Sequence, residues 1–267
     1  MDEGPEAGRV IDGTRLPSST GDALLLSGMT RVAALAECVI LVQWLAIAWL
    51  LAGRFMRPRG FGLRIDFMWT EVVPALVAAA AVVGLGALLL RLQRLSGAAI
   101  GLRREGVESQ VLWGVAAAVA TYAVVFAWSW LSFFVRWLLW KSGHGHAAWL
   151  LRPSDPWARL DTNATVGSVL ILWLAVAIGE EVLYRGLLLP RLHRVAGRWW
   201  VAVLGTSLVF GAGHLGGGLV YALAAFLMSV VWCLVFIRSR SLLAVVAGHF
   251  LYNSALYAQR CWLHGGR

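Results

Sequence analysis

The chain alternates long apolar runs with short connections that are rich in arginine and glycine. Most of these runs hold about twenty residues, which is the length that an α-helix needs to cross the ~30 Å hydrocarbon core of a bilayer. The pattern therefore predicts an all-α fold, a polytopic transmembrane helix bundle with about seven spanning helices. The predicted helices cover residues 32–51, 72–90, 111–134, 166–190, 199–214, 219–237 and 242–257.

The composition is that of a membrane protein and not of a soluble domain of the same length. Of the 267 residues 60% are hydrophobic and 14% are charged, and the mean hydropathy is +0.73. The net charge of +9 comes almost entirely from arginine, because Lys141 is the only lysine. Since the arginines cluster between the apolar runs, we expect them to anchor helix ends and meet membrane lipids, with no nucleic acid as a partner.

Three regions follow from this pattern. Residues 1–30 mix charged residues with Gly, Pro, Ser and Thr, and we expect them to form a disordered tail. Residues 31–100 hold two N-terminal transmembrane helices, and Glu37 lies near the end of the first, from where its side chain can snorkel to the interface. Residues 101–260 hold the remaining helices and form the core. The three cysteines are far apart and support neither a disulfide framework nor a zinc ribbon.

The run 166–190 carries three ionisable residues well inside its apolar sequence, Glu180, Glu181 and Arg185. Each such group costs roughly 2.5 to 3.5 kcal/mol at the centre of a membrane helix, so partners or a function must compensate it. Glu181 and Arg185 stand at i and i+4, with the glutamate first, which is the favourable order for an ion pair. Glu180 is rotated by about 100° from its neighbour. The spacing therefore predicts one supporting ion pair and one free carboxylate.

Two later helices bring further polar side chains to membrane depth. The run 199–214 ends with Phe210-Gly-Ala-Gly-His214, and the last run carries His249 and Asn253 on one face at i and i+4. Taken singly, such a histidine or amide can be an interhelical hydrogen-bond partner. Together with the ionisable groups of run 166–190 they are more numerous than helix packing requires. We therefore expect them to converge around one cavity.

The three motifs together resemble the CPBP family of intramembrane proteases, which includes the CAAX proteases and bacteriocin-processing enzymes and is also called the Abi family. The resemblance rests on their order along the chain and on the placement of each on its own predicted helix. It covers about residues 101–257, because Gly101-Leu102-Arg103 also resembles the segment before the family's core. One departure is Met228-Ser229, where many members carry glycine. The motifs are Glu180-Glu181-x-x-x-Arg185, Phe210-x-x-x-His214 and His249-x-x-x-Asn253.

The resemblance implies hydrolysis of a peptide bond within the membrane. Glu180, with His214 beside it, would position and deprotonate the attacking water. His249 and Asn253 would donate hydrogen bonds to the oxyanion of the tetrahedral intermediate. The supporting residues would be Glu181, Arg185 and Phe210. This glutamic mechanism requires no cofactor.

A zinc-dependent protease is the alternative mechanism. Glu180, His214 and His249 could supply three zinc ligands and leave a position open for water. The chain has no H-E-x-x-H motif, and Asn253 is a poor zinc ligand but a good oxyanion donor. These two features favour the metal-free mechanism.

Two non-enzymatic classes also stay open. A proton-coupled transporter places ionisable residues in the membrane, although this chain shows no internal repeat of the kind that builds many transporters. A non-proteolytic immunity or scaffold protein would keep the same fold without cleavage. For a protease we expect a membrane-associated peptide or protein as substrate. The bias for arginine over lysine and the richness in alanine suggest a bacterial plasma membrane, where a prenylated substrate is less expected.

Overall fold

The fold was analysed in a computed structural model, which describes residues 29–55, 68–103, 106–148 and 165–263. All regular structure in these residues is helical, which confirms the predicted all-α bundle. The predicted tail, residues 1–30, lies outside the described residues except for its last two positions.

The described residues form seven helices, and single helical turns stand at Gly97–Ile100, Gly145–Ala148 and Leu215–Gly217. The fourth of the seven is continuous but changes type: it begins as an α-helix, widens into a π-helical segment and ends as an α-helix. The helices are α1 Arg31–Phe55, α2 Val73–Leu92 after the π-helical turn Met68–Val72, α3 Val107–Lys141, α4 Val166–Glu181 with Val182–Leu188 and Leu189–Ala196, α5 Trp199–Gly213, α6 Leu219–Ser239 and α7 Leu242–Leu263.

The helices identify an integral membrane protein. In the described ranges four stretches are long and apolar enough to cross a bilayer, Thr70–Leu92, Val107–Lys141, Val166–Ala196 and Leu219–Ser239, while α5 is apolar but shorter. Their outer faces expose large apolar side chains, as at Leu208, which suits contact with lipid. The 35 residues of the third helix measure about 52 Å, so the helix extends past the hydrocarbon core on both sides of the predicted spanning run 111–134.

The closest helix crossing joins α3 to α7 through small residues. A Cβ atom on Gly114 would lie 2.9 Å from Cβ of Ala247, and one on Gly248 would lie 2.8 Å from Cβ of Ala117. Such small residues let two helix backbones approach each other closely within a membrane. Because Gly248 precedes His249, this crossing fixes the height at which the histidine enters the bundle.

The segment before α3 is tied to the turn between α6 and α7. Gly101 adopts a φ of +82°, and its carbonyl accepts a hydrogen bond from the backbone N–H of Leu242 at 2.9 Å. Arg103 Nη1 donates to the carbonyl of Ser239 at 3.2 Å. A side chain at Gly101 would also meet the ring of Phe236 at 2.8 Å. The segment that resembles the family's pre-core sequence therefore holds the start of α7 in place.

A partly buried polar cluster joins α1, the end of α2 and the end of α4. The guanidinium Nε of Arg191 donates to Glu37, and Gln93 Nε2 donates to the other oxygen of the same carboxylate at 2.6 Å. Arg191 Nη2 reaches Gln93 Oε1 at 3.3 Å, and Nη1 reaches the carbonyl of Leu187 at 3.0 Å. Glu37, which sequence alone allowed to snorkel outwards, is thus held inside the bundle.

Candidate active site

The acidic pair lies where α4 widens. Glu180 and Glu181 are the last two residues of the α-helical part, and the π-helical segment Val182–Leu188 begins directly after them. A π-helical insertion shifts the side chains that follow it relative to a regular helix, and such insertions recur at functional sites. The apolar pattern predicted a helix over residues 166–190 but gave no sign of this widening.

Glu181 is fully buried and has two partners on one carboxylate oxygen. Its Oε1 accepts a hydrogen bond from Arg185 Nη1 at 3.1 Å and another from His249 Nδ1 at 2.9 Å. Its second oxygen, Oε2, has no hydrogen-bond partner among the described residues. The ion pair expected from the i, i+4 spacing is therefore present, and a histidine from α7 shares it.

Arg185 is itself fully buried and held from several sides. Its Nη2 donates to Ser229 of α6, to Oγ at 2.8 Å and to the carbonyl at 3.3 Å. The guanidinium carbon also lies 5.0 Å from the ring centroid of Phe210 and 5.2 Å from that of Trp232, distances at which cation–π attraction is effective. Arg185 thus connects α4 with α5 and α6.

Glu180 has a different environment from its neighbour. Its side chain keeps 30% of its exposure, and its Oε2 lies 3.9 Å from Nε2 of His249. His249 therefore stands between the two carboxylates, with Nδ1 on Glu181 and Nε2 facing Glu180. Since a carboxylate can only accept a hydrogen bond from the ring, we assign the proton on Nδ1, which leaves Nε2 as the nitrogen nearer Glu180.

His214 is fixed in a similar way at the end of α5. Its Nδ1 donates to the carbonyl of Phe210 at 2.8 Å, so its Nε2 is the nitrogen that is left for chemistry. Phe210 packs its ring against that of His214 at 4.6 Å and edge-on against Tyr184 at 4.9 Å. The carboxylate of Glu180 lies close enough to Tyr184 and to Tyr221 to interact electrostatically with both phenols, and Tyr221 lies 5.5 Å from the His214 ring.

The remaining predicted residue, Asn253, is buried one helical turn beyond His249 on α7. In the part of the chain that the structure describes, no direct hydrogen bond joins Asn253 or His214 to Glu180. Direct contacts therefore unite Glu180, Glu181, Arg185 and His249. His214 instead contacts Phe210, and Asn253 is connected to the group by its position on α7.

Sequence analysis missed two residues of α6 that complete this environment. Ser229 binds Arg185, and the fully buried Trp232 stacks on the ring of His249 with 4.2 Å between centroids. Ser229 had a signal, because it stands where many members of the resembled family carry glycine. No sequence signal pointed to Trp232, since tryptophan is common in membrane helices.

The positions of the donor atoms bear on the zinc alternative. Among the described residues, no three His, Cys, Asp or Glu side chains are placed to hold a metal ion. Zinc bonds at a tetrahedral angle would bring two donor atoms to about 3.4 Å from each other. The facing atoms of His249 and Glu180 are 3.9 Å apart, and the hydrogen bond from Nδ1 to Glu181 leaves Nε2 as the ring nitrogen that could bind a metal.

A comparison with known protein families agrees with the motifs. Residues 162–255 match the family model described as type II CAAX prenyl endopeptidase Rce1-like. This part of the chain is therefore similar to the CAAX prenyl endopeptidases. No curated protein and no solved structure matches the chain.

The CAAX protease match spans about a third of the chain, from just before α4 into α7. It includes every predicted catalytic and supporting residue, from Glu180 to Asn253. The family is one of endopeptidases, so the match supports a protease over the transporter alternative.

Proposed function

We propose that this protein is an intramembrane endopeptidase in which Glu180 activates the attacking water. The observation that carries the proposal is the difference between two adjacent carboxylates. Glu181 is fully buried and occupied by Arg185 and His249, whereas Glu180 keeps 30% of its side-chain exposure and is engaged only across 3.9 Å. A general base must reach both water and substrate, and only Glu180 combines this access with neighbouring histidine.

His214 would assist Glu180 in holding the water. Its Nδ1–H is fixed on the carbonyl of Phe210, so the neutral ring offers the lone pair of Nε2 as an acceptor for a water proton. The water would then lie between Glu180 and His214. Glu180 would take one proton from the water, and Nε2 of His214 would accept a hydrogen bond from the other. The tetrahedral intermediate forms when this hydroxide adds to the scissile carbonyl carbon.

His249 and Asn253 would stabilise the oxyanion of that intermediate. With Nδ1–H bound to Glu181, a doubly protonated His249 ring would present Nε2–H to the oxygen, and the amide of Asn253 would supply a second donor. Glu181 and Arg185 would then hold the His249 ring in a fixed position relative to α4. No step of this mechanism requires a metal ion.

The substrate would be a membrane-associated protein or peptide, because the residues concerned lie within apolar helices. The family description names CAAX prenyl endopeptidases, so a prenylated C-terminus is one substrate class to test. The same site chemistry would also hydrolyse an unmodified membrane-anchored peptide, which suits the bacterial plasma membrane that we expect from the composition.

The proposal can be tested without knowing the substrate. Wild-type protein and Glu180→Gln are produced at equal levels in host cells, and new protein termini in the membrane fraction are identified by mass spectrometry. We expect a set of termini that appears only with wild type. Glu37→Gln serves as a control because that glutamate lies in the other polar cluster, and it should give the wild-type set. Identical termini from wild type and Glu180→Gln would refute the proposed role of Glu180.

A further inference from the structure

Trp232 occupies the centre of the site without belonging to any of its motifs. The residue is fully buried in α6, and its indole stacks on the ring of His249 at 4.2 Å with an interplanar angle of 24°. The same indole meets Phe210 edge-on at 5.9 Å and lies 5.2 Å from the guanidinium carbon of Arg185. One side chain therefore contacts a residue from each of the three motifs' helices.

The orientation of His249 depends on two contacts of different kinds. The hydrogen bond from Nδ1 to Glu181 fixes one atom of the ring but permits the ring to tilt about that bond. Stacking on a fixed aromatic surface restricts the remaining tilt, because the favourable offset-parallel contact defines the plane. Together they set the direction of Nε2, the atom that lies 3.9 Å from Glu180.

If position 232 served packing alone, a purely apolar side chain would be more favourable than tryptophan. Its Nε1–H is buried and has no hydrogen-bond partner in the part of the chain that the structure describes. A buried donor without a partner costs free energy that a purely apolar side chain would avoid. The indole is present despite this unfavourable term, and its large ring system contacts His249, Phe210 and Arg185 together.

We infer that Trp232 is a positioning residue, which holds the His249 imidazole in the plane that its proposed role as oxyanion donor requires. This inference rests on the proposed function of His249. Because Trp232 acts through the histidine and not on bound substrate, its loss should lower turnover and leave substrate affinity nearly unchanged.

The kinetic test uses Trp232→Leu, Trp232→Phe and a matched control, Trp173→Leu. Trp173 is also a buried tryptophan, but it belongs to a separate apolar cluster with Val72, Val169 and Leu172. For a substrate found by terminal mapping, kcat of Trp232→Leu should fall on the order of a hundredfold, as for a catalytic group displaced by about 1 Å, at unchanged KM. Trp232→Phe should keep most of the wild-type kcat, because phenylalanine also offers an aromatic face to His249. A wild-type kcat in Trp232→Leu, or a change confined to KM, would overturn the inference.

A spectroscopic readout separates this inference from the proposed function. Protein labelled with ¹⁵N and ¹³C in histidine gives six ring systems, and His249→Gln identifies the signal of His249. In wild type that signal should show Nδ1 as a hydrogen-bond donor and a ring-current shift, both of which Trp173→Leu should preserve. Trp232→Phe should change the ring-current shift, and Trp232→Leu should also weaken the hydrogen-bond signature of Nδ1–H. An unchanged His249 signal in both Trp232 variants would refute positioning by Trp232, whether or not the protein cleaves a substrate.

Discussion

Among the described residues, two ion pairs between glutamate and arginine lie in this bundle, one fully and one partly buried, and they differ in what else surrounds the carboxylate. At the junction of α1, α2 and α4, both oxygens of Glu37 accept hydrogen bonds, from Arg191 and from Gln93. In the centre of the bundle, Glu181 shares one oxygen between Arg185 and His249, and its other oxygen is without a partner among the described residues. Both carboxylate oxygens of Glu37 therefore have hydrogen-bond partners, whereas Glu181 keeps one oxygen without a partner in the described part of the chain and lies next to Glu180.

The contrast shows that a buried charge pair does not by itself mark an active site. Burying two charges is costly, and each pair is kept only because further hydrogen bonds compensate for the lost water. What distinguishes the centre of the bundle is the addition of a histidine that faces Glu180, a carboxylate whose side chain keeps 30% of its exposure. In this account the Glu37 cluster fixes helices, while the Glu181 cluster also orients a reacting group.

The largest difference between the two clusters should appear when each loses its cation. Arg185→Met leaves the fully buried Glu181 without its cation, which should cost about 3–5 kcal/mol of stability and abolish proteolysis. Arg191→Met should cost less, because Glu37 keeps 19% of its exposure and still has Gln93. Thermal unfolding in detergent and kcat per folded molecule measure the two effects. A loss of kcat from Arg191→Met as great as that from Arg185→Met would contradict the division between the clusters.

The next effect concerns the second oxyanion donor that we place near His249. Asn253→Ala should lower kcat on the order of a hundredfold with little change in KM, which is the usual cost of removing one oxyanion donor. Asn253→Asp is the companion variant, since it keeps the size of the side chain but removes the amide donor. Full turnover in Asn253→Ala would remove this residue from the mechanism.

A smaller effect is expected at Ser229, whose hydroxyl binds Arg185 at 2.8 Å. Ser229→Gly removes that bond while keeping the backbone carbonyl that also accepts from Arg185, so stability should fall by about 1.5–3 kcal/mol, the range for a hydrogen bond to a charged group. Turnover of the folded enzyme should change little. Ser241→Gly, outside the Arg185 cluster, is the matched control for the loss of a buried hydroxyl. A loss of turnover in Ser229→Gly that exceeds the loss of stability would assign Ser229 to the chemistry.

No effect at all is expected from metal removal. Dialysis against a strong chelator should leave both proteolysis and thermal stability unchanged, and elemental analysis should find no stoichiometric zinc in active enzyme. Glu180→Gln and His249→Gln should have the same zinc content as wild type. One tightly held zinc per chain that is lost together with activity in His249→Gln would establish the metal mechanism instead.

Sequence alone could predict the helices and the ion pair at the centre of the candidate site, because each depends on local pattern. Apolar length fixes a membrane helix, and the i, i+4 spacing already placed Arg185 beside Glu181. The Glu37–Arg191 contact could not be predicted, since it joins positions 154 residues apart through helix packing. The same is true of the bond from His249 to Glu181 and of the stack on Trp232, which depend on how α6 and α7 approach α4. The widening of α4 after Glu181 also has no marker in composition.

The central claim is that two adjacent glutamates have separate tasks, and one paired measurement tests it directly. Glu180→Gln and Glu181→Gln are purified, and cleavage of one mapped substrate and thermal unfolding are measured on the same samples. We predict that Glu180→Gln unfolds like wild type but cleaves nothing, because it loses the base and keeps the shape. Glu181→Gln should unfold at a clearly lower temperature, since Arg185 is then buried without its counter-ion. Cleavage by Glu180→Gln at the wild-type rate would contradict the account.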